Sequence, residues 1–195
     1  YHLERLGATI RPEESDHCRM PDDFERTGSK RALRIAPLTL RAIPKKIPAR
    51  HAGKILDLNP LSRPNHYIPN EFRPAGDDLV KDLATGLIWQ QGGSRYPMPW
   101  EETHRYIDRL NDAQPGGLTR WRLPTMDELI SLLTPWTLET FCRSSHFSDA
   151  CTWLWSADLR SKRSVWTIEL DIGFVSCSSR IDRYFVKAVC TDRPR

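Results

Sequence analysis

The chain of 195 residues is defined first by what it lacks. It has no apolar run of 18 residues, which excludes a helical membrane span. Glycine numbers only 10, which excludes a collagen-like or low-complexity polymer. There is no C-x-x-C pair, so zinc ribbons, thioredoxin chemistry and c-type haem attachment are disfavoured. No phosphate-cradling glycine loop, nucleophile elbow or paired-carboxylate arrangement occurs, and no cofactor or metal is expected. Tyr1-His2-Leu3-Glu4 shows neither a basic nor an apolar leader pattern, so targeting is not legible there.

The residues present are unevenly sorted. Residues 1–76 carry 14 basic and 9 acidic side chains, residues 77–195 carry 15 and 16. All seven tryptophans fall in the second segment and 9 of the 15 prolines in the first. The overall charge of +4 is therefore the sum of a cationic extension and a near-neutral, tryptophan-rich domain. We expect a Pro-rich basic arm over residues 1–69 and a folded domain over 70–195.

From Arg26 to Lys54 there are nine basic residues and no acid, among them Arg31, Arg34, Arg41, Lys45 and Lys46. Leu38, Leu40, Ile43 and Ile47 are interleaved, and Pro37, Pro44 and Pro48 interrupt any long helix. Fully extended, this stretch would reach about 90–100 Å. Alone it cannot bury enough apolar surface to offset its ordering entropy, about 1–2 kcal/mol per residue. One reading is a solvated linker. The sharper reading is a docking strap whose apolar side chains enter a partner protein while the basic ones meet an acidic surface. Nucleic acid is disfavoured, because no aromatic residues alternate with the charges to form a stacking platform. An anionic membrane surface remains open on charge alone.

Downstream, the pattern is α+β. Leu79–Asp82 and Thr85–Trp89 read as strands around Gly86, which supplies permissive backbone angles. A helix is expected from Trp100 to Leu110, with Trp100, Thr103, Ile107 and Leu110 on one face. Thr125-Met126-Asp127-Glu128 is a capping box opening a second helix that Pro135 closes. Strands then follow near Trp153–Ala157, Val165–Leu170, Phe174–Cys177 and Tyr184–Val189, read as an antiparallel meander.

Of five cysteines, Cys142 and Cys151 flank a short polar stretch whose closure would contribute on the order of 3 kcal/mol. Cys177 and Cys190 fall on strands read as neighbours and form a second candidate disulfide, leaving Cys18 over. The alternative is a set of reduced, buried thiols packing as small hydrophobes. His104 and His146 stand in unrelated contexts and read as surface or cap residues rather than metal ligands.

Several strings occur in order: Val80-Lys81-Asp82-Leu83-Ala84-Thr85-Gly86-Leu87-Ile88-Trp89-Gln90, then Trp100-Glu101-Glu102, then Trp121-Arg122-Leu123-Pro124-Thr125 with Glu128-Leu129. Trp155-Ser156-Ala157-Asp158, Val165-Trp166 and Tyr184-Phe185-Val186-Lys187-Ala188-Val189 complete them. Over about residues 70–192 the chain resembles the Lcl C-terminal domain family, a bacterial domain of unknown function. The resemblance implies a C-type-lectin-like fold, two helices flanking a small twisted antiparallel sheet, with a loop-rich face that carries ligands. It also implies export, to the periplasm or cell surface. Two departures stand out: Arg120 replaces an acid common before the W-R-L-P-T element, and Ala188 stands where the family often has cysteine. The E-P-N, Q-P-D and W-N-D signatures of calcium-dependent lectins are absent. Arg122 is expected to satisfy buried carbonyls.

These observations lead to a non-catalytic accessory or structural subunit of an exported bacterial assembly, docked through its basic arm. On this reading, removing residues 1–60 leaves a folded domain that no longer joins its complex. The alternative is a surface adhesin or module for sulfated polysaccharide or another anionic glycan, using Arg160, Trp166 and Arg180. A redox or formylglycine-type enzyme would instead depend on Cys177 and Cys190.

Overall fold

Periodicity and capping account for most of the elements seen in the computed structural model, which describes residues 37–76, 78–135, 144–147 and 151–191. Seven strands and three α-helices run through them: α1 (Ala49–Ile55), β1 (Phe72–Pro74), β2 (Leu79–Asp82), β3 (Leu87–Gln90), α2 (Trp100–Ala113), α3 (Met126–Ser131), β4 (Trp153–Leu159), β5 (Ser164–Glu169), β6 (Phe174–Ser179) and β7 (Val189–Thr191). The class is α+β, with two antiparallel sheets ordered β1-β2-β3-β7 and β4-β5-β6.

The hairpin β2–β3 turns at Gly86, whose φ of 71° is the left-handed value that its lack of a Cβ permits. Gly93, just after β3, has no alternative either: a Cβ there would sit 2.6 Å from the Val186 carbonyl oxygen. Helix α2 buries Trp100 and Thr103 and leans Ile107 and Leu110 on a buried cluster of Leu79, Ile88, Trp121, Ala188 and Cys190, as its spacing predicts. It runs three residues beyond the expected Leu110 and stops at Gln114, which takes a left-handed conformation (φ 50°). Both halves of the predicted capping box are present at α3, between Thr125 and Glu128. That helix ends at Ser131, before Pro135 is reached.

The final strand departs from expectation. Tyr184 and Phe185 make isolated bridges to Met98 and Leu154, and only Val189–Thr191 form a strand, paired with β3. The meander is thus three-stranded, and β7 belongs to the other sheet. The outer edge of β6 is occupied near both ends: the Val175 amide donates to the Ser62 carbonyl (2.9 Å) and the Ser179 amide to the Asp182 carboxylate (2.9 Å).

Residues 37–69, expected to be part of an arm, pack on the domain itself. They fall within one compact unit, Ala36–Arg195, so the boundary expected at 69/70 does not separate two bodies. Ile47, Ala52 and Leu56 are buried in the main core beside Trp89, Met126, Leu129, Leu154 and Trp166, with Leu40, Leu58 and Tyr67 packed against it. The prolines prevent a long helix, as predicted, but Pro48 also serves as N-cap of the seven-residue α1, which the sequence reading did not foresee. The Ile47 amide donates to the Leu159 carbonyl (2.8 Å) and the Leu159 amide to the Lys45 carbonyl (3.0 Å), so the strap lies along the free edge of β4.

Candidate functional site

The strap is fixed by one charged cluster. Arg41 donates from Nη1 and Nη2 to the two oxygens of Asp158 (2.8 and 2.7 Å), and from Nε and Nη2 to Asp127 (2.9 and 3.1 Å). Asp158 is wholly buried and also accepts the backbone amides of Lys45 (2.6 Å) and Met126 (2.8 Å). Burial opposes the charge of Arg41, but the hydrogen bonds and fields of Asp158 and Asp127 outweigh it, so its pKa is raised and it is a permanent cation. The Thr125 hydroxyl donates to the Arg41 carbonyl (2.7 Å), tying the strap to the α3 N-cap. Arg122, in the W-R-L-P-T element, forms a two-pronged pair with the buried Glu128 (2.7 and 2.5 Å) and a longer bond to the Leu123 carbonyl (3.3 Å). A carboxylate, more than the carbonyls expected from sequence, is therefore its main partner.

Beside this cluster the strap, α2 and β4 enclose a cleft of about 430 Å³. Its floor is apolar, with Trp100, Ile107, Leu123 and Leu159, and His104, Asp108 and Arg122 supply polar groups. Trp100 is held by its indole N–H, which donates to the Ser156 carbonyl (2.9 Å), and by rings and charge on either side. The His104 ring meets it edge-on at 4.8 Å and the Arg180 guanidinium lies 4.4 Å from its centroid. An apolar concavity with a few convergent polar groups is the kind of site that holds a small ligand or a partner's side chain. On the far side of α2 a second cleft of about 340 Å³ lies between Tyr96, Met98, Tyr106 and Leu110. A wider hollow of about 540 Å³ is walled by Glu102, Arg105, Asp108 and Arg109, charged groups without an apolar floor.

The residues singled out from sequence are dispersed. Trp166 is a core residue, 6% exposed, whose indole N–H donates to the Ile47 carbonyl (2.9 Å); it presents no face to a ligand. Arg180 pairs with Glu101 (3.0 Å) and donates to the Lys162 carbonyl (3.1 Å), while Arg160 lies at the β4–β5 turn. The Nε atoms of Arg160 and Arg180 are both buried without a hydrogen-bond partner. Of the expected partner-binding residues, Arg31 and Arg34 lie outside the described residues. Leu40, Arg41 and Ile47 are engaged within the domain, Lys45 and Lys46 are exposed, and Leu38 is half exposed. Ile47 is therefore not a partner contact: it is fully buried in its own core.

Neither expected disulfide is formed at the described cysteines. Cys151, Cys177 and Cys190 are free thiols. Cys177 lies on β6 and Cys190 on β7, in different sheets, which removes the adjacency their pairing assumed. Cys142 and Cys18 lie outside the described residues. Burial raises the pKa of Cys151 and of Cys190, with nearby Lys187 lowering the first only in part and hydrogen bonds from Arg120 and Thr191 the second. Arg120 is exposed and does not line the cleft.

The sequence reading missed the pairing of Arg41 with Asp158, and it missed Lys187. Its side chain is wholly buried, donating to the Gln91 carbonyl (2.7 Å) and lying 4.9 Å from the centre of the Phe147 ring. Its place in the otherwise apolar string Phe185-Val186-Lys187-Ala188-Val189 was the available signal, since a lysine within a buried segment needs internal acceptors.

Taken together these features define a small α+β domain with a strap-walled apolar cleft. More particularly, the chain belongs to the Lcl C-terminal domain family, whose sequence profile matches residues 78–190. No curated protein matches the chain. The family match starts well after the strap, so the segment that supplies Arg41 and Ile47 lies outside it.

Proposed function

We propose that this protein is a non-catalytic binding module with a C-type-lectin-like fold, acting as an accessory subunit of an exported bacterial assembly. The observation that carries the reading is how its buried acids are used. Asp82 accepts from the Thr85 hydroxyl and the amides of Glu71 and Ala84; Glu128 and Asp158 hold Arg122 and Arg41; Glu169 accepts the Ile172 amide. Each is committed to fold geometry, so none of these four carboxylates is free to serve as a catalytic acid or base. The protonated, buried thiols of Cys151 and Cys190 support the same reading against thiol chemistry. Export rests on the family resemblance, and the fold assignment on two helices, α2 and α3, set against small antiparallel sheets.

Docking to the assembly falls to the residues before Pro37, which include Arg31 and Arg34, because Leu40, Arg41 and Ile47 of the following stretch are used inside the domain. Partner co-purification tests this. The full chain is expected to retain a protein partner that a chain beginning at Pro37 loses while still unfolding cooperatively. Retention of the partner by the shortened chain would overturn the assignment. For the adhesin alternative, Trp166 cannot serve as the sugar-stacking ring, since the core encloses it.

A further inference from the structure

Three surface segments converge at one end of the β4–β5–β6 sheet. The strap meets Leu159 through the bridge at Lys46, and the chain then turns through residues 160–163. The loop after β6 joins the same turn, because the Arg180 amide donates to the Arg163 carbonyl (3.1 Å) and its guanidinium to the Lys162 carbonyl (3.1 Å). Lys45, Lys46, Lys162, Arg163 and Arg183 are all exposed there. The acids of these segments do not cancel this charge: Asp158 is buried against Arg41, Glu101 pairs with Arg180, and the exposed Asp182, which accepts the Ser179 amide, sets one negative charge against the five exposed cations. A second observation is independent of charge. Among the described residues the two most exposed large apolar side chains are Ile181 (81%) and Ile43 (76%), and both stand in these segments, between the cations.

We propose that this end of the domain docks on anionic lipid bilayers, with Ile43 and Ile181 entering the headgroup layer and the lysines and arginines meeting lipid phosphates. Single apolar tips separated by cations suit that medium, where each side chain can be desolvated separately and the charges remain hydrated. A protein partner requires a contiguous, desolvated apolar centre, whereas Ile43 and Ile181 belong to different segments and each has charged residues within two positions of it. The inference goes beyond the accessory-subunit reading and does not depend on the residues before Pro37.

Co-sedimentation of the full chain with vesicles tests it, using phosphatidylcholine alone and a phosphatidylcholine–phosphatidylglycerol mixture. Binding to the mixture only, weakening as salt is added, is the expected result. Lys162→Glu with Arg163→Glu should weaken binding by more than about tenfold, on the basis of about fivefold per charge at the surface. Ile181→Ser should weaken it roughly tenfold, as an apolar side chain is withdrawn. Both sites are exposed turns, and unchanged melting curves would show that the variants fold. Absence of binding to the anionic mixture at low salt overturns the proposal, as does full binding by the charge-reversed variant. Loss of binding on charge reversal but not in Ile181→Ser also overturns it, because a surface read by charge alone fits an acidic protein instead.

Discussion

Residues 37–69 and residues 78–190 reach the same core by different means. The second region is placed by regular elements: paired strands buried largely on both faces, an amphipathic α2 and a capped α3 each bury several side chains. The strap has one short helix and three prolines among its first twelve residues, and is placed by a few contacts of high individual value. These are the four hydrogen bonds from Arg41 to Asp158 and Asp127, the fully buried Ile47 and the indole bond from Trp166. A region held by regular elements tolerates loss of any one contact; a region held by a few contacts does not. The strap is nevertheless part of the domain, since Asp158 and Trp166 are satisfied only when it is in place.

The sharpest way to break that comparison is to remove the strap. A chain beginning at Asn70 is expected to lose cooperative unfolding altogether, because a buried carboxylate and the space left by Ile47, Ala52 and Leu56 are left behind. A chain beginning at Pro37 should unfold cooperatively near the midpoint of the full chain. Loss of cooperative unfolding in the Asn70 chain beside its retention in the Pro37 chain would reverse the expectation that residues 1–60 are dispensable for folding. Next in size is Asp158→Ala, which leaves Arg41 with Asp127 as its one carboxylate partner and two backbone amides without an acceptor, and should cost about 3–5 kcal/mol in denaturant unfolding. Ile47→Ala should cost roughly 2–4 kcal/mol and shift the emission of the adjoining Trp166. Thr125→Ala removes an N-cap and the bond to the Arg41 carbonyl, for about 1–2 kcal/mol. The smallest effect concerns the thiols. Burial holds Cys151 and Cys190 above the ordinary value of 9.0, so the folded state keeps its protons where the unfolded chain loses them. Stability from this source is complete below pH 9.0 and falls as pH rises through the raised values, a decline that Cys151→Ala should reduce. In the native state maleimide should modify both thiols slowly.

What was legible in the sequence follows the same division. The α3 cap could be read because Thr125 and Glu128 are three residues apart, and the β2–β3 turn because Gly86 lies within it. Arg41 and Asp158 are 117 positions apart, and nothing local to either announces the other. The basic run of 26–54 therefore looked like a strap turned outward to a partner, although one of its arginines is an internal strut. Cys177 and Cys190 were misplaced for a related reason: alternation shows that a segment is a strand, but not which sheet receives it. Trp166 could have been placed in the core, since Val165-Trp166-Thr167-Ile168 is buried on both faces and so lacks the polar alternation of a half-exposed strand.

The outer edge of β6 has a consequence for life at high local concentration. An edge strand with open amides invites a neighbour's strand to pair with it, and a chain of such pairings makes a fibre. Here the Ser62 carbonyl and the Asp182 carboxylate take up two of those amides from within the molecule, and the loop that supplies Ser62 belongs to the strap region, residues 37–69. The same stretch of chain that completes the core thus also shields a seam along which copies of the protein would otherwise stitch together. Loosening it would be expected to surface as aggregation before it surfaced as loss of secondary structure.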